Sequence, residues 1–248
     1  MKKTPIIEHV KHMDRYTNKR NVEMNKIISV SMMCADIFNL NAELKAFEEK
    51  NIGYLHFDIM DGIFVDNLML SNDFMKQVRC HTRIPFDIHL MIIEPDDKID
   101  WFDIRENDIV TIHLESSKNI TLVLQKIKKL NAKVGLAIKP STEVNEIKDF
   151  VQFLDLVLVM TVNPGHAGQK MHEESFERIK SVRKLLNDMG HEDVFIQVDG
   201  NVSFENAKIM SQMGANIFVA GTSSVYSKKF RINEAIDQLY KSIELRGK

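Results

Sequence analysis

Residues 54–62 read YLHFDIMDG. The run has the length and apolar character of a buried strand, carries His56 and Asp58 two positions apart, and stops at an Asp-Gly turn. Side chains at i and i+2 of a strand share a face, so His56 and Asp58 point the same way at the strand's end. The pattern recurs along the chain. FDIHLM (86–91) brings His89 to a strand end, and VFIQVD (194–199) brings Asp199 to another. IISVS (27–31), IVTIHL (109–114), VGLAI (134–138), LVLVMTV (156–162) and IFVAG (217–221) complete a set of eight strand-length runs.

Amphipathic stretches separate them, at 41–50, 73–78, 98–102, 119–130, 142–150, 174–189, 203–213 and 233–245. Most show apolar residues at helical spacing. The stretch 174–189 puts Phe176, Ile179, Val182, Leu185 and Leu186 on one side, and Gly190 gives it a stop signal. Eight strand–helix repeats predict an α/β chain whose parallel sheet closes into a (β/α)₈ TIM barrel. Near-continuous apolar strands fit a sheet buried on both faces. An open doubly wound sheet would need a glycine-rich turn after its first strand to hold a dinucleotide, and Ser31–Asp36 holds no glycine. Residues 1–24 are polar and weakly patterned. They are expected to be an N-terminal extension, with 25–248 as the barrel catalytic domain.

Composition narrows the function classes. A chain of 248 residues suits one barrel, and its 44% hydrophobic content is ordinary for a globular domain. A net charge of −2 supplies no global field for nucleic acid. No run is long and apolar enough to span a membrane, and the N-terminus lacks the apolar segment of a secretory signal. Two cysteines, Cys34 and Cys80, in a chain of this length read as reduced thiols, so a cytoplasmic location is expected. Apolar helix faces make a homo-oligomer the expected assembly.

Active residues of a barrel project from the C-terminal ends of its strands. His56, Asp58, His89 and Asp199 all stand at such ends. Two imidazoles and two carboxylates suit one borderline divalent ion, Zn, Mn, Fe or Co. Singly, each has a blander reading as a core histidine or a turn aspartate; four at matching strand ends reverse that preference. Asp87 shares the face of His89 and reads as a residue that orients it, Gln197 stands in the same relation to Asp199, and His113 reads as a pocket or packing residue. Met60, Met91 and Met160 lie near strand ends as an adaptable apolar wall. Asn163-Pro-Gly-His-Ala-Gly-Gln169 follows the sixth run. Its Gly165 and Gly168 let backbone N–H groups approach an anion beside His166 and Ala167. Gly200 and Asn201, with Gly221, Thr222 and Ser223 after the last run, place further backbone where barrels hold phosphate. Without a Gly-x-x-x-x-Gly-Lys-Ser/Thr motif, a nucleotide cofactor is not expected.

The segments HFDIMDGIFVDN, IHLM, MTVNPGHAGQ, VDG and FVAGTS closely resemble the ribulose-phosphate 3-epimerase family, over about residues 27–224. The resemblance implies a metal held by His56, Asp58, His89 and Asp199, and Asp58 with Asp199 as an acid/base pair. It also implies Ser31 and His89 as substrate contacts, with the 165–168 loop, Gly200, Gly221 and Ser223 around the phosphate. The implied reaction inverts C3 of a ketose phosphate through a cis-enediolate, converting D-ribulose 5-phosphate to D-xylulose 5-phosphate. The chain departs from the family at Val30 and Asp66, usually proline, at Lys139, usually asparagine, at His166, usually near an aromatic, and at Asn201, often glycine. The pieces MMCAD, MTV and GTS look more like the branch that converts D-allulose 6-phosphate to D-fructose 6-phosphate. Among rival readings, a related decarboxylase would carry Asp-x-Lys-x-x-Asp, where this chain has Asp58-Ile-Met-Asp61. A Schiff-base aldolase would need a strand lysine, for which Lys139 is the best placed. A sugar-phosphate-binding barrel without catalysis ranks lower, since phosphate binding needs no pair of carboxylates.

Overall fold

A computed structural model of the chain describes residues 26–244. The expected extension, 1–24, lies outside the described residues. The strands are β1 (Ile27–Ser31), β2 (Tyr54–Asp61), β3 (Leu68–Met69), β4 (Phe86–Met91), β5 (Ile109–His113), β6 (Lys133–Ile138), β7 (Leu156–Met160), β8 (Phe195–Asp199) and β9 (Ile217–Ala220). All but β3 run parallel, in the order β1-β9-β8-β7-β6-β5-β4-β2, and β1 pairs with β2 to close the cylinder. The fold is the expected (β/α)₈ barrel. The two-residue β3 adds an antiparallel pairing of Met60 with Met69 and Asp61 with Leu68 beyond the rim.

Around the cylinder lie α1 (Leu40–Glu49), α2 (Asn72–Arg79), α3 (Ile120–Lys129), α4 (Ser175–Asp188), α5 (Phe204–Gln212) and α6 (Ile232–Ile243). In α4 the predicted stripe is buried at Ile179, Val182, Leu185 and Leu186, and Phe176 packs at its edge. Gly190 ends this helix at φ 77°, with the N–H of His191 donating to Leu186 O at 2.9 Å. This is the left-handed cap that glycine adopts without a Cβ penalty. Ser71 and Ser203 cap α2 and α5 by accepting from Phe74 N and Asn206 N. None of the described helices is long and apolar enough to cross a membrane.

Two of the expected helices, 98–102 and 142–150, are instead short 3₁₀ turns: Pro95–Asp97 and Ile99–Trp101, then Val144–Ile147 and Val151–Phe153. The five residues of 98–102 form too few i→i+4 bonds to offset helix nucleation. Turns of i→i+3 type still bury Ile99, Ile147 and Val151.

The strands divide their side chains unequally. Their outer faces are apolar: Leu55, Phe57, Ile88, Leu90, Val110, Ile112, Val157, Val159, Ile196 and Val198 are fully buried under the helices. Each such side chain contributes roughly 1.5–3 kcal/mol. The cylinder's interior is apolar at one end, around Tyr54, Ile109, Leu156, Leu158 and Ile217, and polar towards the strands' C-terminal ends. Parallel register sets His56 beside Asp87 and Asp58 beside His89 across β2 and β4. Gly135 on β6 makes room inside, since a Cβ there would lie 2.2 Å from Thr111 Oγ1.

Candidate active site

β2, β4 and β8 bring His56, Asp58, His89 and Asp199 together. One ligand atom from each can be chosen so that all four lie within 4.8 Å of one another. His56 Nε2 is 3.2 Å from Asp58 Oδ1 and 3.9 Å from Asp199 Oδ2; His89 Nδ1 is 3.0 Å and 4.0 Å from the same two atoms. Both histidines have no exposed surface, and Asp58 and Asp199 form the floor of a pocket above them. Two imidazole nitrogens aimed at a pair of crowded carboxylates match the donor set of a borderline divalent ion, so the four residues form a site able to hold one.

The residues beneath the cluster are wired differently from the sequence reading. Asp87 was expected to orient His89, its neighbour on the strand. Its Oδ2 instead accepts from His56 Nδ1 at 2.7 Å, from Ser29 Oγ at 2.8 Å and from the Gln197 amide. The β2–β4 register explains the exchange, because Asp87 is level with His56 while His89 is one layer higher, level with Asp58. Gln197 therefore serves Asp87 across the barrel and not Asp199. His113, expected as a pocket or packing residue, does not line the pocket and lies with Nε2 2.9 Å from His89 Nε2 and Nδ1 3.1 Å from Glu115 Oε2. Asp61 behaves as the turn residue it resembled, accepting from the N–H groups of Ile63, Phe64 and Ile93.

Burial and charge split the two carboxylates. Burial opposes ionisation of Asp58, but His56 and His89 outweigh it and hold its carboxyl well below the usual range. Burial, then the charge of Asp58, pushes Asp199 up to about 6 against the pull of the same histidines. Burial also disfavours charge on His56, yet Asp87 and Asp58 prevail and raise it well above an ordinary histidine. Burial lowers His113 to about 4 despite Glu115. A divalent ion would relieve the repulsion between Asp58 and Asp199 and favour both as carboxylates.

Another part of the pocket wall is backbone. Gly165, Gly168 and Gly200 have φ of 118°, 81° and 111°, and Asn201 has 48°. A Cβ on Gly200 would come within 2.6 Å of Val162. Side-chain amides brace the loop through its carbonyls. Asn67 Nδ2 donates to Gly165 O, Gln169 Nε2 to Asn163 O and His166 O, and Asn201 Nδ2 to Gln169 O, at 2.7–2.8 Å. Ser31, Met60, Met91, Met160, His166, Ala167, Gly221, Thr222 and Ser223 line the pocket with these residues, as the sequence suggested. His56 and His89 lie below it. The sequence reading missed Met33, Cys34, Val162, Val202 and Val219 in the wall; a small or apolar side chain carries no chemical signal of its own, even inside a quoted motif.

A family model described as the ribulose-phosphate 3 epimerase family matches residues 27–226. The chain is 38% identical over 212 residues to ribulose-phosphate 3-epimerase of Bacillus subtilis (strain 168), covering 86% of this chain and 97% of that protein. It is 34% identical to the chloroplastic ribulose-5-phosphate-3-epimerase of Arabidopsis thaliana, over 90% of this chain and 78% of that one. The chain belongs to the ribulose-phosphate 3-epimerase family. Members are isomerases that act on carbohydrates, and this chain is an enzyme of that kind. Among solved structures, the orotidine 5'-phosphate decarboxylase of Pyrococcus horikoshii OT3 aligns with a TM-score of 0.61, 15% identity and 88% of this chain on 99% of that one. The N-(5'-phosphoribosyl)anthranilate isomerase of Pyrococcus furiosus aligns with a TM-score of 0.60 and 10% identity, 88% on 98%. At such identities these likenesses show the barrel alone.

Lys139, where the epimerase family usually has asparagine, does not line the pocket. Its Nζ sits 3.8 Å from the centre of the Phe64 ring, a cation–π position, and among the described residues no lysine lines the pocket.

Proposed function

We propose that this enzyme inverts C3 of D-ribulose 5-phosphate to give D-xylulose 5-phosphate, with Asp58 and Asp199 as the acid/base pair. The observation that carries the reading is that a His₂Asp₂ cluster and a glycine-rich loop meet at one pocket, lined by Asp58 and Asp199 of the first and by 165–168 of the second. Abstraction beside a carbonyl needs the carbonyl at the cluster and a separate hold on the phosphate, and the pocket's lining offers groups for both.

His56, Asp58, His89 and Asp199 would hold the divalent ion. When bound, such an ion supplies Lewis-acid stabilisation of negative charge on the substrate's oxygens. Inversion needs a proton acceptor on one face of the reacting carbon and a donor on the other, which two carboxylates provide and one does not. Asp58 and Asp199 both reach the pocket, from β2 and β8. The thioether wall of Met60, Met91 and Met160 excludes water from the reacting carbon. Among the described residues, the backbone N–H groups of 165–168, Gly200 and Asn201 donate to no protein acceptor. They stand ready for phosphate oxygens together with Gly221 and Ser223, while Ser31 lines the same pocket as a further substrate contact.

The test is turnover of ribulose 5-phosphate in D₂O. Product should carry deuterium at C3; inversion without solvent exchange would overturn the acid/base pair. The runner-up substrate, D-allulose 6-phosphate, is favoured by the segments MMCAD, MTV and GTS and belongs in the same assay. A higher kcat/KM for it would reverse the order.

A further inference from the structure

His56 and His89 face the cluster through different ring nitrogens, and each needs that nitrogen bare to hold an ion. For His56 this is simple. Its Nδ1–H donates to the buried Asp87 carboxylate, so the proton that an ion displaces is the one on Nε2. His89 presents Nδ1 to the cluster, so its proton must sit on Nε2, and no carboxylate lies there. The neighbour is His113 Nε2 at 2.9 Å.

Two neutral imidazole nitrogens at this separation share one proton. If His89 donates it, His113 must accept at Nε2 and carry its own proton on Nδ1. That nitrogen lies 3.1 Å from Glu115 Oε2. The other oxygen of Glu115 accepts from Lys139 N–H at 3.0 Å and from the Thr142 hydroxyl. A carboxylate that only accepts thus ends the series; in the opposite direction His89 Nδ1–H would donate to Asp58 Oδ1 at 3.0 Å, but His113 Nδ1 and Glu115 Oε2 would face each other as two acceptors. Phe64 packs on the His113 ring with centroids 4.7 Å apart, and the His89 and His113 rings are 5.0 Å apart, so the imidazoles cannot turn freely.

We propose that Glu115 and His113 are positioning residues that fix the proton of His89 on Nε2 and so leave Nδ1 free as a metal ligand. The inference rests on reading the His₂Asp₂ cluster as the metal site. Neither residue lines the pocket, so neither is a catalytic residue.

Glu115→Gln tests the direction of the relay. One amide oxygen must still accept from Lys139 N–H, which turns the NH₂ towards His113 Nδ1. His113 must then carry its proton on Nε2, and His89 is left with its own on Nδ1, against the ion. The experiment is a calorimetric titration of the full-length metal-free protein with Co²⁺ at fixed pH, paired with ¹⁵N NMR of the imidazoles in the same metal-free samples. Wild type should show Nε2–H on His89 and Nδ1–H on His113. Glu115→Gln should swap both protons and weaken Co²⁺ binding by about 10–100-fold. Glu115→Asp should restore the wild-type tautomers and most of the affinity. Swapped tautomers in the wild type would overturn the inference even if no variant folds. Wild-type Co²⁺ affinity in Glu115→Gln would overturn it as well, leaving the metal reading intact. Failure of the wild type to bind Co²⁺ would overturn the metal reading, and this inference with it.

Discussion

The two ends of the pocket are built from different materials. The cluster end consists of side chains on β2, β4 and β8, with a specific partner behind each histidine: Asp87 for His56 and His113 for His89. The loop end consists of backbone in left-handed conformations, braced at its carbonyls by Asn67, Gln169 and Asn201. At the first, chemical identity matters and shape changes little when one oxygen becomes a nitrogen. At the second, the shape of the chain matters and a single methyl group can spoil it. The contrast predicts that isosteric polar changes damage the cluster end, whereas small additions of volume damage the loop end.

The harshest way to break the contrast is Asp199→Asn. Turnover should fall by about 10²–10⁴-fold, the usual contribution of a positioned acid or base; near-normal turnover would remove Asp199 from that role. The metal-free variant should also melt higher than wild type at pH 7. The Asp199 carboxyl is raised to about 6 in the folded protein, so the folded state holds its proton more tightly than the unfolded chain. That contribution to stability is present at low pH and is lost as pH rises through about 4 to 6, on the order of 1–3 kcal/mol. Metal affinity should follow the opposite course and strengthen as pH rises through about 6, measurable by Co²⁺ titration.

Asp87→Asn comes next. It leaves the pocket lining unchanged but removes the carboxylate that holds the His56 proton on Nδ1, and Co²⁺ affinity should weaken by about 10–100-fold. An unchanged affinity would show that His56 needs no such partner. Gly200→Ala probes the other end. With φ of 111° and Val162 within 2.6 Å of the new Cβ, the backbone must shift. KM should rise by about tenfold, the worth of a weakened hydrogen bond to a charged group, while Co²⁺ affinity stays constant. A fall in metal affinity there would merge the two ends into one unit. The mildest change, His166→Phe, alters one side chain on a loop whose backbone makes the site. It should shift the kcat/KM ratio between ribulose 5-phosphate and allulose 6-phosphate only a few-fold, and a larger shift would move specificity from backbone to side chain.

The same division explains what could be read from sequence. His56, Asp58, His89 and Asp199 were visible because a strand has a period of two and a barrel exposes the ends of its strands. Gly165, Gly168 and Gly200 were visible because glycine alone is at ease at positive φ. The partner of each histidine was not visible. Asp87 lies two residues from His89 in the chain but bonds to His56, because pairing across the ladder depends on the stagger of the closed barrel. Proximity in sequence pointed to the wrong ring. His113 read as a pocket or packing residue for the same reason, since nothing in IVTIHL reveals that its strand sets it beside His89. The 98–102 and 142–150 segments misled differently. Apolar spacing marks which residues are buried, and a pair of 3₁₀ turns can bury them as well as one helix.

Asp87 gathers Ser29 from β1, His56 from β2 and Gln197 from β8 onto one oxygen. That junction cannot exist before β8 has been synthesised and docked against the earlier strands. The nascent chain carries His56, Asp58 and His89 long before it carries Asp199, so the four-residue cluster is complete only once β8 has taken its place in the barrel.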